Sequence, residues 1–383
     1  MKTIIENKNQ KEKFIATTLS GLEEVLMNEL VQLGAENTMV LTRAVYFEGD
    51  KELMYKANIR CRTALYILQE LGGCDISDID DVYEASYRIA WEDYFRKNDT
   101  FSVSAKVNKC EFINDTRFAA LKVKDAIVDR LRNVYGERPN VDKHEPTIFV
   151  SVHIFKNKLS LYLNTSGEPL FKRGYKKHVV SSPLNEVLAA GMISLAGWNN
   201  DKPLYDPFCG SGTILLEAAM MAAEVAPGLY RNFYAFKNNK LFDVVLYDRL
   251  INEAKSAIKY EIQPVCGSDI DRNAVNIAKE NIESAGFGDF IKIERHAFGE
   301  KIPKMQNGCI ITNPPYGVRT DGEGLESLYK NMGDTFKRQF KGFTCWLITS
   351  DIKALNAVGL HASPKYHLFN GALECRFVCY KMY

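Results

Sequence analysis

Three short strings in this chain combine residue types and spacings that could do chemistry. The most pointed is Thr312-Asn313-Pro314-Pro315-Tyr316-Gly317, directly after the apolar run Cys309-Ile310-Ile311. Two consecutive prolines lock the backbone and remove two N–H donors, leaving carbonyls turned outward. The Asn313 side-chain oxygen and the Pro314 carbonyl then offer paired acceptors for the two hydrogens of a planar NH2 group. Such contacts draw the amine toward a tetrahedral, nucleophilic geometry and hold it in line for attack, so positioning supplies most of the rate. Tyr316 offers a ring for stacking on a base. Taken alone, Asn-Pro-Pro also suits a rigid turn between a strand and a helix.

The second string, Leu204-Tyr205-Asp206-Pro207-Phe208-Cys209-Gly210-Ser211-Gly212-Thr213, reads as a strand, a tight glycine turn, and a helix carrying Leu215, Leu216 and Ala219. Glycines let the backbone approach a ligand closely, and Gly212 is expected to keep ligand space clear. A phosphate-gripping loop would end in Lys followed by Ser or Thr. No lysine follows here, and Asp206 precedes the turn, which suits a cationic or zwitterionic ligand. The third string, Cys266-Gly267-Ser268-Asp269-Ile270-Asp271, ends the next apolar run. A carboxylate at the tip of a second strand is placed to accept both hydroxyls of a ribose. An N-cap for the helix of Ala274, Ile277, Ala278 and Ile282 explains it as well. Both hold together with Asp269 on ribose and Asp271 at the cap.

Strands and helices must hold these strings in place. Phe14 to Thr17 reads as a strand, followed by a helix with Ser20 as N-cap, Glu23 three residues on, and Leu22, Val25, Leu26, Leu30 and Leu33 on one face. Gly34 stops it. Alternation at Phe101, Val103, Ala105 and Val107 marks a half-buried strand, and Asp115 to Leu131, with Phe118, Leu121, Ile127 and Leu131, an amphipathic helix. Two alternating runs, Ile148 to Ile154 and Leu159 to Leu163, flank the turn Lys156-Asn157-Lys158 as a hairpin. This half is α+β, without a glycine-rich loop for a cofactor. Beyond Thr165, short apolar runs at Leu204-Tyr205, Val265-Cys266-Gly267, Ile310-Ile311 and Cys345 to Ile348 alternate with helical periodicity, the signature of a doubly wound parallel sheet. Ala372 to Met382 reads as a last strand after the turn Asn370-Gly371. The boundary between the halves is expected between Leu163 and Arg173.

At 383 residues and 46% hydrophobic content, the chain can bury at least one full core. No stretch approaches the roughly 18 uninterrupted apolar residues of a membrane helix, and Met1 to Lys13 lacks the apolar centre of a signal peptide. A cytoplasmic protein is expected. The nine cysteines contain no C-x-x-C pair, so free thiols are expected and a metal site is not. A net charge of +1 does not announce a nucleic-acid partner, so any RNA contact must come from a local patch.

In their order and spacing, Asp206 to Gly212, Gly267-Ser268-Asp269 and Asn313 to Tyr316 resemble the Rossmann-type amino-methyltransferases. Within them the chain is similar to the THUMP-containing guanine-N2 methyltransferases of ribosomal and transfer RNA, especially the bacterial 23S rRNA family. Leu170 to Tyr175, Ser182 to Glu186 and Asn370 to Cys375 match that family too, and the first strand and helix and Asn58 to Leu68 resemble its ferredoxin-like and THUMP parts. The resemblance implies an α/β fold in which a Rossmann-type methyltransferase domain, with a mostly parallel seven-stranded sheet, follows an α+β ferredoxin-like/THUMP RNA-binding region. The implied divisions are 1–55, ferredoxin-like; 56–165, THUMP; and 166–383, S-adenosylmethionine-dependent methyltransferase.

The resemblance further implies that Asp206, Pro207, Gly210, Ser211, Gly212 and Thr213 hold the methionine part of S-adenosylmethionine. Asp269, with Ile270 beside it, binds the ribose, and Asn313, Pro314, Pro315 and Tyr316 clamp the target amine, Asn313 also bordering the cofactor. Pro183, Leu184 and Glu186 fall near the cofactor entrance. Relatives carry an acidic residue after the third strand for the adenine amino group, whereas this chain has Arg295-His296-Ala297-Phe298. Adenine is therefore expected to meet backbone at Ala297 and to stack on Phe298, with His296 facing solvent. The implied reaction is methylation of guanine N2 in RNA, with 23S rRNA as the leading substrate. Adenine-N6 methylation, tRNA guanine-N2 methylation and a non-catalytic RNA-binding assembly factor remain as alternatives. Lys172, Arg173, Lys176, Lys177 and His178 beside Tyr175 would neutralise phosphates and offer a stacking face, and equally suit a solvated linker. Lys156 and Lys158 at the hairpin tip are weaker RNA candidates. Neither a metal nor a covalent intermediate is expected, and Cys209 is explained by packing.

Overall fold

The computed structural model describes residues 11–142, 144–178, 183–305, 307–316 and 322–383. Residues 1–10 of the polar N-terminal stretch, Ser182 and Gly317 lie outside the described residues. The N-terminal half runs β1 (Glu12–Thr17), α1 (Glu23–Gln32), β2 (Glu36–Leu41), β3 (Ala44–Gly49), α2 (Lys51–Arg60), β4 (Tyr66–Asp75), α3 (Ile79–Arg88), β5 (Phe101–Asn108), α4 (Thr116–Tyr135), β6 (Ile148–Phe155) and β7 (Lys158–Asn164). All seven strands join one sheet of order β2-β3-β1-β4-β7-β6-β5. β4 is the hinge of this arrangement, because it pairs with β1 on one side and β7 on the other.

Two expectations change here, at the cap of α1 and on the inner face of α4. Ser20 does not cap α1: the helix starts at Glu23 with Leu22 at the cap position and no side-chain cap. The Glu23 carboxylate is instead drawn backward, accepting from the Gly21 amide at 2.7 Å and the Arg43 amide at 3.0 Å, and so fixes the β2–β3 turn. The division at residue 55 falls inside α2, whose Leu53, Met54, Tyr55, Ala57 and Ile59 all enter one core with Phe14, Val45 and Phe47. In α4, Phe118 and Leu121 face solvent while Ala119, Val123, Ala126, Ile127 and Leu131 are buried. Small alanines at helical spacing define the inner face, and bulk alone points to the wrong one.

The C-terminal half comprises α5 (Glu186–Leu195), β8 (Leu204–Asp206), α6 (Thr213–Ala222), α7 (Val244–Ser256), β9 (Val265–Asp269), α8 (Arg272–Ser284), β10 (Ile291–Arg295), β11 (Cys309–Thr312), α9 (Gly322–Gln339), β12 (Thr344–Thr349), α10 (Ile352–Ala357), β13 (Lys365–Asn370) and β14 (Leu373–Lys381). Its sheet has the order β10-β9-β8-β11-β12-β14-β13. The five strands from β10 to β12 are parallel, and β14 and β13 close the edge antiparallel. The strand order reverses beside β8, where an open α/β sheet presents a crevice at its carboxyl ends. The three strings end β8, β9 and β11 and therefore meet at that crevice. Among the described residues no helix is long and apolar enough to cross a membrane.

The two halves meet through buried polar groups. Arg173, only 2% exposed, reaches Glu217 of α6 at 3.3 Å and donates to the carbonyls of Leu170 and Arg62. The Tyr175 hydroxyl donates to the same Glu217 at 3.1 Å, while Arg62 donates to the Val225 carbonyl at 2.8 Å. An isolated charge here would be costly, and Glu217 offsets that of Arg173, while the buried Arg62 Nη1 has no partner among the described residues. Glu217→Gln keeps the volume and strands the Arg173 guanidinium; a loss of about 3–5 kcal/mol in unfolding free energy is expected. A denaturant midpoint equal to that of the unsubstituted chain would refute this account.

Candidate active site

The glycine turn is built by its own backbone. The Gly212 amide donates to the Cys209 carbonyl at 2.8 Å and the Cys209 amide to the Ser268 carbonyl at 3.0 Å. Gly267 is required on β9 because a Cβ there would lie 2.4 Å from Leu215 and 3.1 Å from Cys209. Gly210 and Gly212 both have positive φ, 52° and 82°, but they do different work. A Cβ on Gly212 would meet Ala278 of α8 at 3.3 Å, whereas one on Gly210 would meet nothing within 4 Å. Gly212 thus packs against α8, and Gly210 borders open space.

Asp206 is buried at the end of β8. Its Oδ1 accepts from the Thr312 hydroxyl at 2.6 Å and from the Phe208 amide at 3.1 Å. Burial pushes its carboxyl up to about 7, against the pull of those two donors. Across the turn, Asp269 accepts from the Gly210 amide at 2.9 Å and from the Asp271 amide at 3.0 Å. Asp271 caps α8 through the Asn273 amide at 2.8 Å, as expected. Ile270, beside Asp269, is 65% exposed, an apolar surface facing outward at the strand tip. Pro207, Ser211 and Thr213 are buried beneath the turn, the last two with hydroxyls 3.5 Å apart. Cys209 is buried in the apolar core and burial raises its thiol well above the ordinary range, which disfavours the thiolate a nucleophile needs.

Asn313 follows Thr312, so the Asp206 contact also sets its place. Its Oδ1 is buried and has no hydrogen-bond partner among the described residues. The Tyr329 hydroxyl of α9 donates to the Pro315 carbonyl at 3.3 Å and lies 3.0 Å from the Thr349 hydroxyl. Tyr316 is half-buried, and its hydroxyl accepts from the Asn370 amide group at 2.7 Å. Asn370, Thr349 and Tyr329 come from three separate elements; Asn370 falls in a string that the resemblance covers, whereas no local pattern marked Thr349 or Tyr329. Asn281 of α8 was missed as well: its amide donates to the Ser211 carbonyl at 3.2 Å and the His178 carbonyl at 3.0 Å. The available signal was an amide on the apolar face next to Ile282.

After β10, Phe298 is 8% exposed and packed between aromatic neighbours, Phe208 at 5.6 Å and Phe340 at 6.2 Å. The expected stacking surface is therefore already used by the core. The Ala297 amide donates to Glu300 at 2.9 Å, so a carboxylate does reach this loop, from three residues further on. His296 is half-buried, with Nδ1 3.0 Å from the Ala297 carbonyl. The linker cluster divides: Arg173, Tyr175 and Lys176 are held in the interior, and Lys172, Lys177 and His178 are exposed. Arg173 and Tyr175 point inward to Glu217, and Lys176 pairs with buried Glu186 at 2.7 Å. Lys172 is exposed but paired with Glu168 at 2.7 Å, which leaves Lys177 on the surface, its backbone amide tied to Asn281 at 3.0 Å.

A doubly wound sheet with a glycine turn after its first strand, a carboxylate after its second and Asn-Pro-Pro-Tyr after its fourth-position neighbour defines a Rossmann-type methyltransferase domain. Residues 173–378 match the RMKL-like methyltransferase domain, residues 77–164 the THUMP domain and residues 13–68 the RlmL ferredoxin-like domain. The chain belongs to this family of RMKL-like methyltransferases with an N-terminal THUMP region. It is 34% identical over 372 residues to the candidate RNA methyltransferase slr0064 of Synechocystis sp., covering 97% of each chain. It is 37% identical over 376 residues to the ribosomal RNA large subunit methyltransferase K/L of Shewanella amazonensis, covering 97% of this chain and 53% of that one. The chain thus spans about half the length of its K/L relatives. Among solved structures, a candidate methylase from Clostridium difficile 630 superposes with a TM-score of 0.90 at 32% identity, covering 98% of this chain and 99% of that one. SMU.472, a candidate methyltransferase solved with SAH, gives 0.89 at 29% identity over the same shares.

The two glycines differ in their surroundings, and their substitutions can be told apart. Gly210→Ala should keep the melting midpoint within a few degrees and weaken cofactor binding in calorimetry at least tenfold, whereas Gly212→Asp should lower the midpoint. The reverse pattern would reassign the turn. For Asp206, the folded carboxyl holds its proton to about pH 7, while the unfolded one releases it near pH 4. Ligand-free stability should therefore fall as pH rises through that window. Asp206→Asn should remove this slope and melt relatively higher toward pH 8; parallel pH profiles for the two proteins would contradict the assignment.

Proposed function

We propose that this chain transfers a methyl group from S-adenosylmethionine to the N2 amino group of a guanine in RNA, with 23S rRNA as substrate. The observation that carries the reading is the buried, unpartnered Asn313 Oδ1. A buried acceptor without a donor is costly, and an incoming amine N–H removes that cost. Asn313 and the Pro314 carbonyl accept the two amine hydrogens and turn the nitrogen lone pair toward the methyl donor. Tyr316, held by Asn370, stacks on the base. The bound cofactor supplies an electrophilic methyl carbon on a sulfonium centre. The open space over Gly210, the carboxylate of Asp269 and the exposed Ile270 suit its methionine, ribose and adenine parts respectively. The SAH complex of SMU.472 and the names of slr0064 and the K/L relatives support the cofactor and the RNA substrate. On this reading residues 166–383 are the methyltransferase unit, the residues before them capture RNA, and the protein acts in the cytoplasm.

A second reading is adenine-N6 methylation, since the same acceptor pair fits either amine. A similar structure from Listeria monocytogenes, with a TM-score of 0.88 at 30% identity, is described by prediction as an N6-adenine-specific DNA methylase. The THUMP match favours RNA.

Asn313→Ala should not lower the melting midpoint, because it removes an unpartnered buried acceptor, and should reduce kcat by at least about a hundredfold, the scale of one lost positioning contact. Nucleoside mass spectrometry of rRNA from a deletion strain should show loss of N2-methylguanosine. Loss of a methyladenosine instead would select the second reading, and no change in any modified nucleoside would remove both.

A further inference from the structure

Among the linker cations expected to meet RNA, Arg173 and Lys176 are paired in the interior, Lys172 and His178 face carboxylates, and Lys177 alone is exposed without an ion-pair partner among the described residues, whereas the far end of the N-terminal sheet carries a larger group of unpaired cations. β5 and β6 run parallel with Asn108 beside Phe155, and the chain turns sharply after each. Lys109 and Lys156 both lie in the left-handed region, at φ 54° and 56°, where residues other than glycine are uncommon. The Lys156 amide donates to the Asn108 carbonyl at 3.0 Å and ties the two turns together. Both ammonium groups stand over the Phe155 ring, 6.0 and 5.9 Å from its centroid, and Phe155 is 42% exposed. Lys158 opens β7 at the same end, and Lys106 lies on β5 in register with His153.

None of these four lysines has an ion-pair partner among the described residues. The strands themselves, FSVSAKVN, IFVSVHIF and KLSLYLN, contain no carboxylate. Asp75 of β4 stands opposite Lys158 in register without forming an ion pair. An exposed ring flanked by two free cations matches a base next to its phosphates, since stacking and charge neutralisation are then met at one spot.

We infer that this tip, formed by Lys106, Lys109, Phe155, Lys156 and Lys158, binds RNA through its phosphate backbone and one stacked base. The inference rests on the RNA-methylating reading above. The methyltransferase half packs at the opposite end of the same strands, where Asn238 donates to the Thr147 carbonyl at 3.5 Å and Phe233 lies 6.1 Å from Phe149. The eight residues of β6, at roughly 3.3 Å each, place the tip about 23 Å from that junction. An RNA engaging both the tip and the catalytic loop must therefore be longer than the immediate surroundings of the target base.

The test compares the full chain with Lys109→Gln/Lys156→Gln and with Lys109→Gln/Phe155→Ala/Lys156→Gln. Fluorescence anisotropy reads binding to a long 23S rRNA fragment containing the methylated position and to an oligonucleotide of about ten residues around it, over a range of salt. Both variants should bind the long RNA about tenfold or more weakly, with a salt slope shallower by about two, and the triple variant should be the weaker. Short-oligonucleotide affinity, S-adenosylmethionine affinity and melting midpoint should be unchanged. Wild-type affinity and slope in the double variant would overturn the site while leaving the methylation reading intact, and would direct the search to a protein partner. If the unsubstituted chain binds neither RNA, the site and the reading fall together.

Discussion

The buried carboxylate of Asp206 is the contact on which the geometry of the site depends. It stands at the end of β8, where the strand order reverses, and its Oδ1 holds both the Thr312 hydroxyl and the Phe208 amide. One oxygen thus fixes the residue before Asn313 on β11 and the entry to the glycine turn after β8. Burial makes the group expensive, as its upward shift to about 7 records, and such a group is kept in place only by well-directed donors. β8 and β11 are adjacent and parallel, so the link is short and has one geometry. The cofactor side and the amine side of the crevice are positioned by the same atom.

A second set of contacts stiffens each loop from elsewhere in the domain. Asp269 takes the Gly210 amide, Asn281 takes the Ser211 carbonyl, Tyr329 takes the Pro315 carbonyl and Asn370 takes the Tyr316 hydroxyl. Each partner lies on or at the end of a strand or helix, and none belongs to the loop it holds. Chemistry that works by positioning needs this, because a side chain held only by its own loop samples too many orientations. The arrangement also explains why the unpartnered Asn313 Oδ1 is notable: around it nearly every other polar atom has been given a partner.

Most of the architecture could be read from the chain because it rests on local patterns. Alternation placed β5, β6 and β7, apolar runs placed β9, β11 and β12, and the strings at 206–212, 267–269 and 313–316 carried the catalytic half. What could not be read depends on contacts remote in sequence. Phe118 and Leu121 look like core residues until Ala119 and Val123 are seen to face it. Phe298 looks like a ligand platform until Phe208 and Phe340 are brought against it. The inward turn of Arg173 could not be read for the same reason: Glu217 lies 44 residues from Arg173, and sequence spacing gives no sign that the two pair. Of the side chains anchoring the loops, Asn281 and Tyr329 could not be read because each acts across the fold as a single residue.

The inward turn of Arg173 and Tyr175 bears on how the two halves work together. A junction sealed by apolar contacts alone tolerates small rotations, since hydrophobic contact is non-directional. A junction built on Arg173, Tyr175 and Glu217, with Arg62 donating to the Val225 carbonyl beside it, does not. Any rotation leaves a buried charge or hydroxyl without its partner, at a cost of kilocalories. The seven-stranded N-terminal sheet carries that constraint outward, because β4 hydrogen-bonds the strands near the junction to those that end at Lys156. Arg173 and Tyr175 thus hold the sheet at a fixed angle to the crevice. With a net charge of only +1, the chain cannot attract RNA by its overall field, so a few unpaired lysines in a fixed place relative to Asn313 matter more than many spread over the surface.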